Sequence, residues 1–160
     1  MNIVLLEPEI PQNAGNIART CAITGSSLHL IEPLGFEISD KYLKRAGLDY
    51  WQYVDIHVYH DIADFYAKNP EANIYFATTK GQHRYDQVKF GANDYVMFGK
   101  ESAGIPEEIL HDHYDKCIRI PMKDYTRSLN LSNSVAIVLY EALRQNDFMG
   151  LEEIGHLTKY

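Results

Sequence analysis

Short runs that are apolar but for His29, Thr78 and Arg119 recur along the chain at residues 3–6, 28–31, 74–78, 95–98 and 117–120. A strand without polar alternation must be covered on both faces, a condition met inside a parallel sheet. Residues 54–59 alternate and read as a further strand. Between the strands, the pattern predicts a helix over 16–24 with Gly25 as its left-handed cap, and another over 39–46, capped by Ser39 and ended by Gly47. Further helices are predicted over 61–68, after Pro106, and over 132–145. Strands alternating with helices specify an α/β architecture, a mostly parallel sheet with helices on both faces. At 160 residues the expectation is a single domain spanning 1–160.

The last predicted helix is apolar over more than one stripe. Leu131, Val135, Val138, Leu139, Ala142 and Leu143 form one face, and Ala136, Ile137 and Tyr140 carry it well round the cylinder. One side can pack on the sheet; the other predicts a partner subunit, hence a homodimer. Cys21 and Cys117 lack CxxC or Cys/His spacing and are expected to be reduced and packed in the core. His111 and His113 have no evident third ligand and read as surface residues, so no metal is expected. With no basic leader and no run long enough to cross a bilayer, the expected address is cytoplasmic, with no membrane partner.

A formal net charge of −7 argues against a protein that coats nucleic acid through bulk positive potential. Any RNA contact must be local. Candidate patches are Lys41, Lys44 and Arg45; Lys80, His83 and Arg84; and Arg119, Lys123 and Arg127.

Three loops that follow predicted strands are rich in small polar residues. They are Pro11-Gln12-Asn13-Ala14-Gly15-Asn16-Ile17-Ala18-Arg19, Phe98-Gly99-Lys100-Glu101-Ser102-Ala103-Gly104-Ile105-Pro106, and Ser128-Leu129-Asn130-Leu131-Ser132-Asn133-Ser134. Ligands of open parallel sheets bind outside the carboxyl ends of the strands, which places these loops together. Neither the GxGxxG fingerprint nor a P-loop is present, which disfavours a cofactor held by its phosphates. Gly99 and Gly104 bracket Glu101 and permit close backbone approach to a flat ligand, with Ile105, Ile120 and Met122 as apolar surface. Ser102 and Ser128 lack a His partner motif or a nucleophile elbow, so nucleophilic catalysis is not indicated.

In order, spacing and residue type, Asn13-Ala14-Gly15-Asn16-Ile17-Ala18-Arg19 of the first loop, the second loop, and the third preceded by Ile118-Arg119-Ile120-Pro121-Met122 resemble the three motifs of the SPOUT class of RNA methyltransferases. The flanking runs Glu7-Pro8-Glu9-Ile10-Pro11-Gln12-Asn13, Leu30-Ile31-Glu32-Pro33-Leu34-Gly35-Phe36 and Gly47-Leu48-Asp49-Tyr50 resemble the small tRNA wobble-nucleotide 2′-O-methyltransferases of that class. The resemblance covers nearly the whole chain and fades after about Asp147.

The resemblance implies a deep C-terminal trefoil knot, which general topology rules would not suggest. It implies S-adenosylmethionine as cofactor, with contacts at Ala77, Gly99, Ile120 and Ser128, and with Glu101, Gly104, Met122, Leu129 and Asn133 lining or shaping the pocket. It places Arg19 and Asn13 beside the acceptor nucleotide, with Glu101 and Asn130 or Asn133 organising the site. The implied partner is the anticodon stem-loop of tRNA, leucine tRNAs in particular, met by an acceptor pocket completed across a homodimer. Methylation at another tRNA or rRNA site, and a non-catalytic cofactor-binding module, are the competing readings.

Overall fold

The computed structural model describes residues 1–38, 51–125 and 127–159. The helix expected over 39–46, the patch Lys41, Lys44 and Arg45, and residues 47–50 lie outside the described residues. The strands are β1 (Asn2–Leu6), β2 (Ser27–Ile31), β3 (Ile56–Tyr59), β4 (Ile74–Ala77), β5 (His83–Arg84), β6 (Tyr95–Phe98) and β7 (Cys117–Arg119). The described helices are α1 (Pro11–Thr24), α2 (Ile62–Lys68), α3 (Glu107–Asp112) and α4 (Leu131–Gln145), with 3₁₀ turns at Trp51–Tyr53 and Tyr114–Lys116.

All strand pairs within the seven-stranded sheet are parallel, in the order β3-β2-β1-β6-β4-β7-β5. Side chains of β1 alternate between two cores. Ile3 and Leu5 meet Ile17, Ala18 and Cys21 of α1 and Val135, Val138 and Leu139 of α4. Val4 and Leu6 belong to the opposite core with Phe65 of α2 and Leu110 of α3. The architecture is thus the expected helix-covered parallel sheet, and full burial of Ile3, Val4 and Leu5 explains the unbroken apolar run.

Cys21 and Cys117 are free and buried, and burial pushes the Cys21 thiol up to about 12, so neither is a reactive thiolate. His113 departs from its surface assignment. It is partly buried and stacks on Phe76 with ring centroids 4.9 Å apart, a packing role that sequence spacing does not reveal. Helix α1 starts at Pro11 rather than near Asn16, and β5 is a two-residue exposed edge strand with no apolar signature to announce it. No described helix is long and apolar enough to cross a membrane.

Candidate functional site

Register brings the ends of four strands side by side. Phe98 pairs with Leu5 of β1 and Ala77 of β4, and Ala77 pairs in turn with Ile118 of β7. The loops leaving these ends enclose a cavity of about 800 Å³. This is the carboxyl-end position at which parallel sheets hold ligands.

Ala77, Gly99, Gly104, Ile120 and Met122 line the cavity from the strand ends and the loops that follow them. Ser128, Leu129 and Asn130 close it from the segment entering α4, and Asn13 and Glu101 lie on the side of α1. Two other site residues stand elsewhere. Arg19 is on the exposed surface of α1, and Asn133 is exposed on the first turn of α4; neither lines the cavity. Thr78, Thr79 and Tyr85 line it without having been singled out from the sequence. Their placement follows from β4 and β7: the Thr78 amide donates to Ile118 O at 2.9 Å, and the Tyr85 amide to Arg119 O at 3.0 Å.

The glycines act differently from the sequence expectation. A Cβ on Gly99 would overlap the Gly104 carbonyl carbon, so the missing side chain lets the loop close on itself, where Lys100 and Gly104 form an antiparallel bridge. Gly104 sits at φ 74 with open space where a Cβ would lie, so it meets the left-handed requirement of the turn.

That closed loop grips the start of α1. Ile10, the N-cap residue, offers no side-chain cap. Glu101 supplies one from a distance, accepting from the amides of Glu9 (2.8 Å) and Ile10 (3.3 Å) and from Asn13 Nδ2 (2.8 Å). A carboxylate at a helix N-terminus satisfies orphan donors and opposes the helix dipole. Asn13 passes the connection on, since its Oδ1 accepts from Asn130 Nδ2 at 2.9 Å. Asn130 Oδ1 then caps α4 through the amides of Ser132 (2.9 Å) and Asn133 (3.3 Å). One chain of hydrogen bonds, Glu101–Asn13–Asn130, therefore joins the three sequence motifs, and Asn130 rather than Asn133 is its third member.

Two further links flank it. Glu9 accepts from the Ser102 amide (2.9 Å) and hydroxyl (2.8 Å), which hold its carboxyl below the usual range. Lys100 pairs with Glu7 at 2.7 Å, and that pair raises the lysine above its ordinary value. Of the basic residues near the mouth, Arg119 donates to Thr79 O and Lys80 pairs with Glu107, while Arg127 is exposed on the cavity rim. Among the described residues, no group of three or more His, Cys, Asp or Glu side chains converges to hold a metal.

Residues 1–140 match the model of the SpoU rRNA Methylase family. The chain belongs to that family. Its SpoU relatives include a protein of Saccharophagus degradans named tRNA (cytidine(34)-2'-O)-methyltransferase, 50% identical over 93% of this chain and 97% of its own length. A protein of Methylovorus glucosotrophus with the same name is 48% identical over 93% of this chain and 97% of its own. A solved structure described as giving structural insights into the 2-OH methylation of C/U34 on tRNA is 45% identical. It superposes with a TM-score of 0.85, covering 91% of this chain and 95% of that one.

Proposed function

We propose that this SpoU-family protein transfers a methyl group from S-adenosylmethionine to the ribose 2′-oxygen of the wobble nucleotide of tRNA. The acceptor is a cytidine or modified uridine at position 34, in leucine tRNAs. The observation that carries the reading is near-full-length identity of about half to relatives bearing that name, in a chain whose three family motifs meet at one cavity.

The cavity residues fit the cofactor. Ile105, Ile120, Met122 and Leu129 offer apolar surface to a flat adenine, while Thr78 and Ser128 offer hydroxyls to the polar remainder. The volume, about 800 Å³, is within the usual range for a site of this kind. S-adenosylmethionine supplies, when bound, a methyl group on a cationic sulfur.

The work left to the chain is alignment, water exclusion and care of one proton. Arg19, on the surface of α1 outside the cavity, stands where a nucleotide arriving from solvent can be met. A guanidinium has no acceptor to take up a proton and makes a poor base. The role of Arg19 is to position the phosphate and the 2′-hydroxyl, and its positive field makes that hydroxyl easier to deprotonate, with the proton passing to solvent. Asn13 and Glu101 hold the start of α1, the helix that carries Arg19, against the loop of residues 99–104. The same reading includes the trefoil knot and a homodimer that completes the acceptor pocket. Supporting the dimer, Ile137 and Tyr140 of α4 are 37% and 44% exposed, so the second apolar face lacks cover within one chain.

The test is nucleoside mass spectrometry on bulk tRNA from a strain lacking the activity, incubated with the protein and S-adenosylmethionine. The expected product is 2′-O-methylcytidine, or a 2′-O-methylated modified uridine, at the wobble position of leucine tRNAs. A mark at another site moves the target. No mark despite cofactor binding overturns the enzymatic reading. Arg19→Ala should abolish turnover and leave cofactor affinity within about twofold of wild type, because Arg19 lies outside the cavity.

A further inference from the structure

Glu9 belongs to no predicted site and does not line the cavity, yet it both donates to and accepts from the 101–102 segment of the cavity wall. The Glu101 carboxylate accepts the Glu9 amide, and the Glu9 carboxylate accepts the amide and hydroxyl of Ser102. Three consecutive side chains of the cavity wall, Lys100, Glu101 and Ser102, thus all face residues 7–13.

The segment so gripped is also held from its other side. The Gly35 amide donates to Pro8 O at 2.9 Å, and a Cβ on Gly35 would overlap the Glu9 carbonyl oxygen. Glu7 carries a φ of 51, an uncommon conformation for a residue with a side chain, which persists where its surroundings determine it. The wall moves as one unit, since the Gly104 amide closes the loop on Lys100 O at 2.8 Å. Two stiff pieces are therefore joined by charge-assisted bonds, stronger and more directional than neutral ones. One piece faces the cavity; the other continues without a break into α1 and Arg19.

We propose that Glu9 is a positioning residue: through Ser102 it ties the cavity wall to α1, so that seating of the cofactor and placement of Arg19 are coupled. The inference rests on S-adenosylmethionine occupying the cavity, as the proposed function holds. A ligand ordering residues 99–104 orders the start of α1 through Glu9, without any contact between ligand and Glu9. Beside the Glu101 bonds and the Lys100–Glu7 pair, the Glu9–Ser102 bonds fix the wall to this segment at its third consecutive residue.

The test compares wild type with Glu9→Ala, Ser102→Ala and Ser102→Thr by two measurements. The first is amide hydrogen exchange of residues 10–16 with and without S-adenosylmethionine, which needs neither RNA nor turnover. Wild type should gain protection there on adding S-adenosylmethionine, Glu9→Ala should lose that gain, and Ser102→Thr, which keeps the hydroxyl, should retain it. The second is steady-state methyl transfer: kcat should fall about tenfold to a hundredfold in Glu9→Ala, the scale expected when reacting groups are misplaced by a fraction of an ångström to an ångström. Cofactor Kd and thermal midpoint should stay near wild type. Ser102→Ala should show the same pattern more weakly, and Ser102→Thr should restore kcat. Undiminished protection transfer in Glu9→Ala, or a loss of cofactor affinity that parallels the loss of kcat, overturns the coupling. A wild type that couples but transfers no methyl group sinks the proposed function and leaves the coupling standing.

Discussion

Asn130 shows how much one side chain can hold. Its Oδ1 caps α4 through Ser132 and Asn133, and its Nδ2 donates to Asn13 Oδ1. The two tasks use different atoms and can be separated. Asn130→Ala loses both and should cost about 1–2 kcal/mol of stability, from the lost cap together with a less satisfied Asn13. Asn130→Asp keeps an N-cap oxygen but sets a carboxylate against the Asn13 carbonyl oxygen, so stability should stay within about 1 kcal/mol of wild type. Methyl transfer should nevertheless fall at least tenfold in that variant, because Asn13 must turn away from Glu101 or from residue 130. Urea denaturation and initial rates on the same preparations check the pair; parallel losses in Asn130→Asp would show that the cap alone matters. The resemblance to the SPOUT motifs named Asn13, Glu101 and the Asn130/Asn133 alternative. Choosing Asn130 requires knowing which amide meets Asn13 across 117 positions of chain, and that is a tertiary fact. Glu9 was invisible for the same reason, its partner lying 93 positions away.

At the level of elements, legibility follows how local the cause is. Gly25 ends α1 at φ 65 with its amide on Cys21 O, a cap written in adjacent residues, and the sequence places that end correctly. The start of α1 is written elsewhere. Asn13 and Gly15 have weak helix propensity, but a carboxylate from residue 101 holds the Glu9 and Ile10 amides and the Asn13 side chain around the point where the helix begins, at Pro11. Strand β2 holds a second non-local case. His29 is buried, with Nδ1 2.8 Å from Tyr59 OH and Nε2 3.2 Å from Asn2 Oδ1. Burial first, and the neighbouring His57 second, push its pKa down to about 4, although Asp55 opposes the shift; Tyr95 and Lys68 complete the surroundings. The imidazole is neutral in the folded chain and titrates near 6.5 when unfolded. Unfolding therefore takes up a proton between those values. His29 leaves stability untouched above pH 6.5 and erodes it as pH falls toward 4, by up to roughly 3 kcal/mol. Asp55, held below its ordinary range by His57 and Ser27, acts only at still lower pH. Urea midpoints at pH 7 and 4.5 should differ more in wild type than in His29→Gln; equal differences would remove His29 as the cause.

For the molecule as a whole, charge and oligomeric state belong to one argument. Two copies at −7 each carry −14, so an RNA brought to a dimer meets net repulsion and must be held by a few local contacts. Such binding has a shallow salt dependence: three or four phosphate contacts give a slope of log affinity against log salt of roughly −2 to −3. Arg127 on the cavity rim is one candidate, and Arg127→Ala should reduce the slope by about 1 in magnitude. In the proposed dimer, these contacts are assembled from two chains. Ile137 and Tyr140 lie on the face of α4 turned away from Val138 and Leu139, which are fully buried against the sheet and α1. Ile137→Glu leaves that core intact and puts a charge on the outer face, so it should fold normally by circular dichroism. Light scattering should show its mass halved, while methyl transfer to tRNA falls to background because the acceptor pocket lacks its second half. A halved mass with unchanged transfer would mean that each chain is complete alone. An unchanged mass would place the interface elsewhere and leave the second apolar face of α4 without its explanation.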